Sequence, residues 1–143
     1  MKKYLFTVVI ILLIGCSDSK IIYEKNEVES ITLSSCLSET LPKTIKSTDK
    51  LNRIINMLEH TEEDAIQHST GKVGCSNTMT INFKNTQSPV IVTIPQRCKT
   101  TSKGNSSLTN CEPIQDYIMI EDKMATKTVK SRELYEYIQE GWK

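Results

Sequence analysis

Cys75-Ser76-Asn77-Thr78-Met79-Thr80-Ile81-Asn82-Phe83, answered by Val90-Ile91-Val92-Thr93-Ile94-Pro95-Gln96-Arg97-Cys98, is the stretch on which the fold turns. Both halves alternate. Met79, Ile81 and Phe83 fall on one face and Thr78, Thr80 and Asn82 on the other, and Val90, Val92 and Ile94 repeat the pattern after the polar break Lys84 to Pro89. Alternation at period two on either side of a polar break predicts a β-hairpin with one buried face. Folded symmetrically about the break, the two halves set Phe83 opposite Val90, Ile81 opposite Val92, Met79 opposite Ile94 and Cys75 opposite Cys98. A slip of one residue would turn the apolar set of one strand to the polar face. Opposed side chains have Cβ atoms about 4.5–5.5 Å apart, close to the spacing a disulfide needs. The expected bridge is therefore Cys75–Cys98.

Upstream, Glu27 to Cys36 alternates with Ile31 and Leu33 on one face and predicts a first strand, which Leu41-Pro42 ends because proline cannot donate to a ladder. Leu51, Ile54, Ile55 and Leu58 follow the i, i+3, i+4, i+7 spacing of a helix face, with Thr48 or Asp49 as its cap. Thr61-Glu62-Glu63-Asp64 resembles a second cap, from which a short helical turn would run to about His68 before Gly71. Downstream, Lys99 to Asn110 is rich in Thr, Ser, Asn and Gly, has no hydrophobic period and is expected to be an exposed loop. Tyr117-Ile118-Met119-Ile120 is a short apolar run that reads as a strand buried on both faces. Ser131 caps a last helix in which Leu134, Tyr137 and Ile138 share a face and Gly141 is the stop before Trp142.

The expected architecture is α+β: a small, mainly antiparallel sheet of about four strands with two helices on one face, in the order β-α-β-β-β-α. Two disulfides should staple it. The chain has 143 residues and five cysteines, with few aromatics, so the core is lean and covalent bridges matter more than in a larger domain. With Cys16 set aside for the reason below, Cys75–Cys98 leaves Cys36–Cys111 by elimination. A zinc site of four thiolates is disfavoured, because no C-x-x-C pair occurs. The formal net charge of +1 gives no footprint for nucleic acid, which is not an expected partner.

Met1-Lys2-Lys3 followed by the uncharged run Tyr4 to Ile14 matches an export signal, and the run is shorter than the ~20 residues a membrane-spanning helix needs. Leu13-Ile14-Gly15-Cys16 resembles the lipobox of bacterial lipoproteins, with Ile14 where that family usually has a small residue. The resemblance implies cleavage before Cys16 and lipidation of Cys16. Residues 1–15 are then a signal peptide, residues 16–27 a lipid-anchored tether and residues 28–143 a single domain. Ser17, rather than Asp, after the lipid cysteine implies the outer membrane in a Gram-negative host, with the domain facing the periplasm. From Glu29 to Glu140 the order of elements also resembles a group of small bacterial lipoproteins of uncharacterised function. That resemblance rests on Ile31-Thr32-Leu33, Thr48-Asp49-Lys50-Leu51, the hairpin, Tyr117 to Lys123 and Glu133-Leu134-Tyr135-Glu136-Tyr137. It carries no active site with it.

No H-E-x-x-H, G-x-S-x-G or phosphate-cradling glycine loop is present, so no catalytic residue, cofactor or metal is expected. His60, Asp64 and His68 are four apart and would share a face on one continuous helix, but a solvated charged face explains them better than a metal site or a hydrolase does. Tyr135, Tyr137 and Trp142 gather near the end of the chain, and Tyr135 and Trp142 are candidate partner contacts. Lys103 and Asn105 in the polar loop are the others. The expected function is that of a lipid-anchored, non-enzymatic protein-binding module of the inhibitor, immunity or exclusion type. The alternatives are an accessory lipoprotein of a secretion, pilus or conjugation apparatus, and a small hydrolase or metal-binding protein.

Overall fold

The computed structural model describes residues 24–36, 41–63, 76–85 and 88–140. A 3-10 turn at Lys25–Glu27 leads into β1 (Val28–Ser34), followed by β2 (Lys43–Ile45), α1 (Thr48–Glu59) and β3 (Glu62–Glu63). Next come β4 (Thr78–Phe83), β5 (Val90–Thr93), β6 (Gln96–Lys103), β7 (Ser106–Pro113), β8 (Tyr117–Glu121), β9 (Thr126–Lys130) and α2 (Arg132–Glu140). Seven strands form one antiparallel sheet in the order β2-β1-β4-β5-β8-β9-β3, and β6 and β7 form a separate two-stranded ribbon. The α+β class and the antiparallel sheet are as expected; the count of about four strands is too low. The strands that escaped are the ones with little apolar content. β2 and β3 have three and two residues, and in β9 Val129 is the one position that is fully buried.

One face of the sheet is the core. Ile31, Leu33, Met79, Ile81, Val92, Ile118 and Val129 are closed to solvent and share a single cluster with Ile54, Ile55 and Leu58 of α1 and Leu134 and Ile138 of α2. α1 packs against β1, and α2 against β8 and α1. Val28 joins the same face as Ile31 although the two differ in parity, because the register of β1 on β4 shifts between Val28 and Ser30. A bulge at Glu29 takes up the extra residue, as bulges do when a strand must re-aim a side chain. β8 is buried on one face, not two: Ile118 and Ile120 are covered while Tyr117 and Met119 are half-exposed on the other side.

The β4–β5 hairpin forms on the expected faces but in a different register. Met79 pairs with Val92 and Ile81 with Val90, so the ladder is displaced by two residues from the pairing the sequence suggested. A period-two pattern rejects slips of one residue and cannot detect a slip of two, since every side chain keeps its face. Cysteine placement is the one feature that distinguishes even registers, and Cys98 belongs to a different ladder, opposite Cys111. β5 stops at Thr93, and Pro95, which has no N–H to donate, stands before the chain turns into β6.

α1 buries Leu51, Ile54, Ile55 and Leu58 as the spacing requires, and Met57 with them. It starts one residue after Ser47, and Asp49 in its first turn complements the helix dipole. It ends at Glu59. Glu62 and Glu63 then pair with Lys130 and Val129 as an edge strand, so a helical turn from Thr61 does not form there. His60 and His68 therefore do not lie on one continuous helix; Asp64 and His68 themselves fall outside the described residues. α2 has the expected cap. Ser131 Oγ accepts the Leu134 N–H at 3.4 Å, and the Ser131 carbonyl accepts the Tyr135 N–H at 3.0 Å. Ser131→Ala is expected to lower stability by about 0.5–1 kcal/mol, read from a urea midpoint at unchanged slope. No change in midpoint would mean that the cap bond is not formed in solution.

Candidate functional site: a disulfide-stapled ribbon

The segment expected to be an irregular loop is ordered instead. Between Gln96 and Pro113 eight cross-strand pairs run from Gln96↔Pro113 to Lys103↔Ser106. The turn is Gly104-Asn105. Gly104 takes φ +62°, a conformation glycine adopts without a Cβ penalty, at the first central position of a two-residue connection, where type II′ hairpins favour glycine. The Ser106 hydroxyl donates to the Lys103 carbonyl at 3.0 Å and closes the turn.

Cys98 and Cys111 stand directly opposite each other on this ribbon and are joined, with Sγ–Sγ 2.03 Å. This pairing overturns both expected bridges, since Cys98 is not available to Cys75 nor Cys111 to Cys36. Cys36 is itself disulfide-bonded; Cys75 and Cys16 lie outside the described residues. An isolated two-stranded hairpin is marginally stable in water. The bridge spans a sequence separation of 13, and closing a loop of about that length is worth roughly 3 kcal/mol in the chain-entropy account. A staple at this place lets a polar ribbon persist without a hydrophobic face.

The ribbon grows out of the sheet between neighbours. β5 and β8 pair with each other, Thr93 opposite Met119, and the ribbon is their connection. Its base is closed by the Ile114 N–H donating to the Pro95 carbonyl at 2.9 Å. Extending the ribbon's register into the sheet would place Thr93 opposite Asp116, and the three residues of mismatch are absorbed in the turn before β8. Asp116 there has φ +64°, the only positive φ outside glycine among the described residues. The ribbon is consequently not a continuation of the sheet's ladder. No described residue from 97 to 113 is fully buried, and none from 96 to 113 belongs to the core cluster.

The two faces of the ribbon differ. Gln96, Cys98, Thr100 and their partners form one face, on which the cystine is half-buried and the Thr100 and Thr109 hydroxyls meet at 2.9 Å. Arg97, Lys99, Thr101 and Lys103 form the other, together with Leu108 and Glu112, and every position on it is exposed. Lys103 and Asn105, two of the expected contact residues, sit at the tip and are exposed. The other expected pair is not brought to them: Tyr135 is half-buried on α2 against the core, and Trp142 lies outside the described residues.

A second feature is a shallow cleft between α1, β3 and the start of α2, bordered by Arg53, His60, Glu62, Lys130, Arg132 and Glu133. His60 Nδ1 lies 2.7 Å from the Asn56 carbonyl, which can only accept, so Nδ1 is the donor in this contact. Arg132 is held by Glu136 at 2.8 Å, and that contact raises its pKa further. The Tyr137 phenol beside this region is pushed above its ordinary value by burial, with Arg53 opposing the shift. No three potential metal ligands gather among the described residues. The cleft is an open surface of mixed charge, and the Ser131 hydroxyl that also lines it is the cap of α2.

Sequence reasoning missed the ribbon although a local signal was present. Gly104-Asn105 is a two-residue hairpin connection, and Cys98 and Cys111 are equally distant from it. No helix among the described residues is long and apolar enough to cross a membrane. No family model matches the chain, and no curated protein or solved structure is significantly similar to it.

Proposed function

We propose that this chain is a lipid-anchored envelope protein acting as a non-enzymatic protein-binding module, of the inhibitor, immunity or exclusion kind, and that the ribbon is its contact surface. The observation that carries the reading is a ribbon whose residues take no part in the core and whose cationic face is exposed at every position. A stapled polar ribbon is suited to recognition because its ordering is largely met before contact. Lipidation at Cys16 supplies the anchor, as the lipobox resemblance implies, and Ser17 after it favours the outer membrane of a Gram-negative host.

The test is affinity capture with the tagged full-length protein from its own membranes under non-reducing conditions, with the Cys16→Ser variant as the unanchored control. One protein should co-purify in stoichiometric amount with the anchored form. Capture of nothing, or equal membrane association of Cys16→Ser, would overturn the reading. The identity of the captured protein, a toxin or lytic enzyme against a secretion-channel subunit, separates an inhibitor from an assembly factor.

A further inference from the structure

Resting on the reading of the ribbon as a contact surface, we infer that its cationic face, on which Lys99 and Lys103 flank Leu108 and Arg97 stands nearer the base, recognises an acidic protein surface that has an apolar recess. Register fixes the geometry. Arg97, Lys99 and Lys103 are at alternate or doubly alternate positions of β6 and so project to one side, and Leu108 lies directly opposite Thr101, between Lys99 and Lys103. Leu108 is 74% exposed. None of the three cations is ion-paired to another described residue, and Glu112, opposite Arg97, is the single acidic side chain on this face. The opposite face holds the cystine and the Thr100–Thr109 contact, so it is occupied with the ribbon's own integrity.

Magnitudes choose the class of partner. Domains that bind nucleic acid through charge carry a strongly basic surface with a pI above about 9, whereas this chain has a formal net charge of +1 and a pI near 7.6. Attachment to anionic lipid headgroups is typical of clusters of about four to eight basic residues, and this face has three. Two lysines flanking one exposed apolar side chain, with Arg97 further down the same face, fit a protein surface, where charge complementarity supplies orientation and a recess supplies burial. The lysines of β6 disfavour strand addition at that edge of the ribbon.

The probe is a photoreactive benzophenone side chain placed at Thr101 on the cationic face or at Thr109 on the other, in the full-length protein, irradiated in its own cells and mapped by mass spectrometry. Thr101 is expected to cross-link to one protein at a segment flanked by Asp or Glu, with the Thr109 yield lower by about tenfold or more. Charge reversal by Lys99→Glu with Lys103→Glu, or Leu108→Asp alone, should each reduce the Thr101 yield about tenfold, while the Cys98–Cys111 peptide stays intact. A cross-link confined to Thr109, a yield indifferent to charge reversal, or adducts to lipid or nucleic acid at Thr101 would overturn the inference and leave the binding-module reading standing. No protein adduct from either position would overturn both.

Discussion

Excision of residues 96–113, with Pro95 joined to Ile114 through a two-residue Asn-Gly turn, is expected to leave the domain folded and to reduce partner capture at least tenfold. The ends to be joined are already neighbours, since Ile114 donates to Pro95 at 2.9 Å, and no residue between them belongs to the core cluster. β5 and β8 keep their own pairing, Ile91↔Glu121 to Thr93↔Met119, without the ribbon. Stability should therefore change by no more than about 1 kcal/mol, within the range of substitutions outside the core. Thermal unfolding monitored by circular dichroism checks the first half and affinity capture the second. Loss of cooperative unfolding would mean that the ribbon is part of the fold, and undiminished capture would mean that the contact surface lies elsewhere.

Truncation within the cluster should have the opposite profile. Ile55 of α1 and Ile138 of α2 are fully closed to solvent and belong to the same cluster as the sheet's apolar face. Ile→Ala at either site removes buried methyl groups and leaves a cavity, which costs about 2–5 kcal/mol. Small domains have total stabilities of roughly 5–15 kcal/mol, so either variant should show a much lower urea midpoint, with partner capture retained while the protein is still folded. Leu108→Ala is the contrast. That side chain is 74% exposed and its loss should change stability by less than about 0.5 kcal/mol. A cost below 1 kcal/mol at Ile138 would contradict the packing of α2 on the sheet.

Much of the two-layer domain was legible because burial writes a period into the chain. α1 shows its 3.6-residue spacing in Leu51, Ile54, Ile55 and Leu58. β4 and β5 show period two in Met79, Ile81, Val90 and Val92. Ser131 marks the start of α2 by its hydroxyl. What failed to show is what burial does not determine. The β4–β5 register was displaced by two, a slip to which alternation is blind. β9 is held by main-chain bonds to β8 from Tyr117↔Lys130 to Glu121↔Thr126 while presenting mostly Thr and Lys side chains. The ribbon has no apolar period because neither of its faces is covered, and its composition is that of a loop. Its order comes from a glycine turn and a cystine, which are local chemical signals. The candidate site was legible only at its tip, where Lys103 and Asn105 stood out; the division into a cationic face and a cystine face follows from the register alone.

Peptide mapping of the unreduced protein tests the architecture of the ribbon, and with it the proposed contact surface, most directly. Digestion should recover Cys98 linked to Cys111, placing Gly104-Asn105 at the turn of a closed hairpin. A peptide linking Cys75 to Cys98, or Cys36 to Cys111, would contradict the account, because the ribbon would lose its staple and the cationic face would have no fixed geometry.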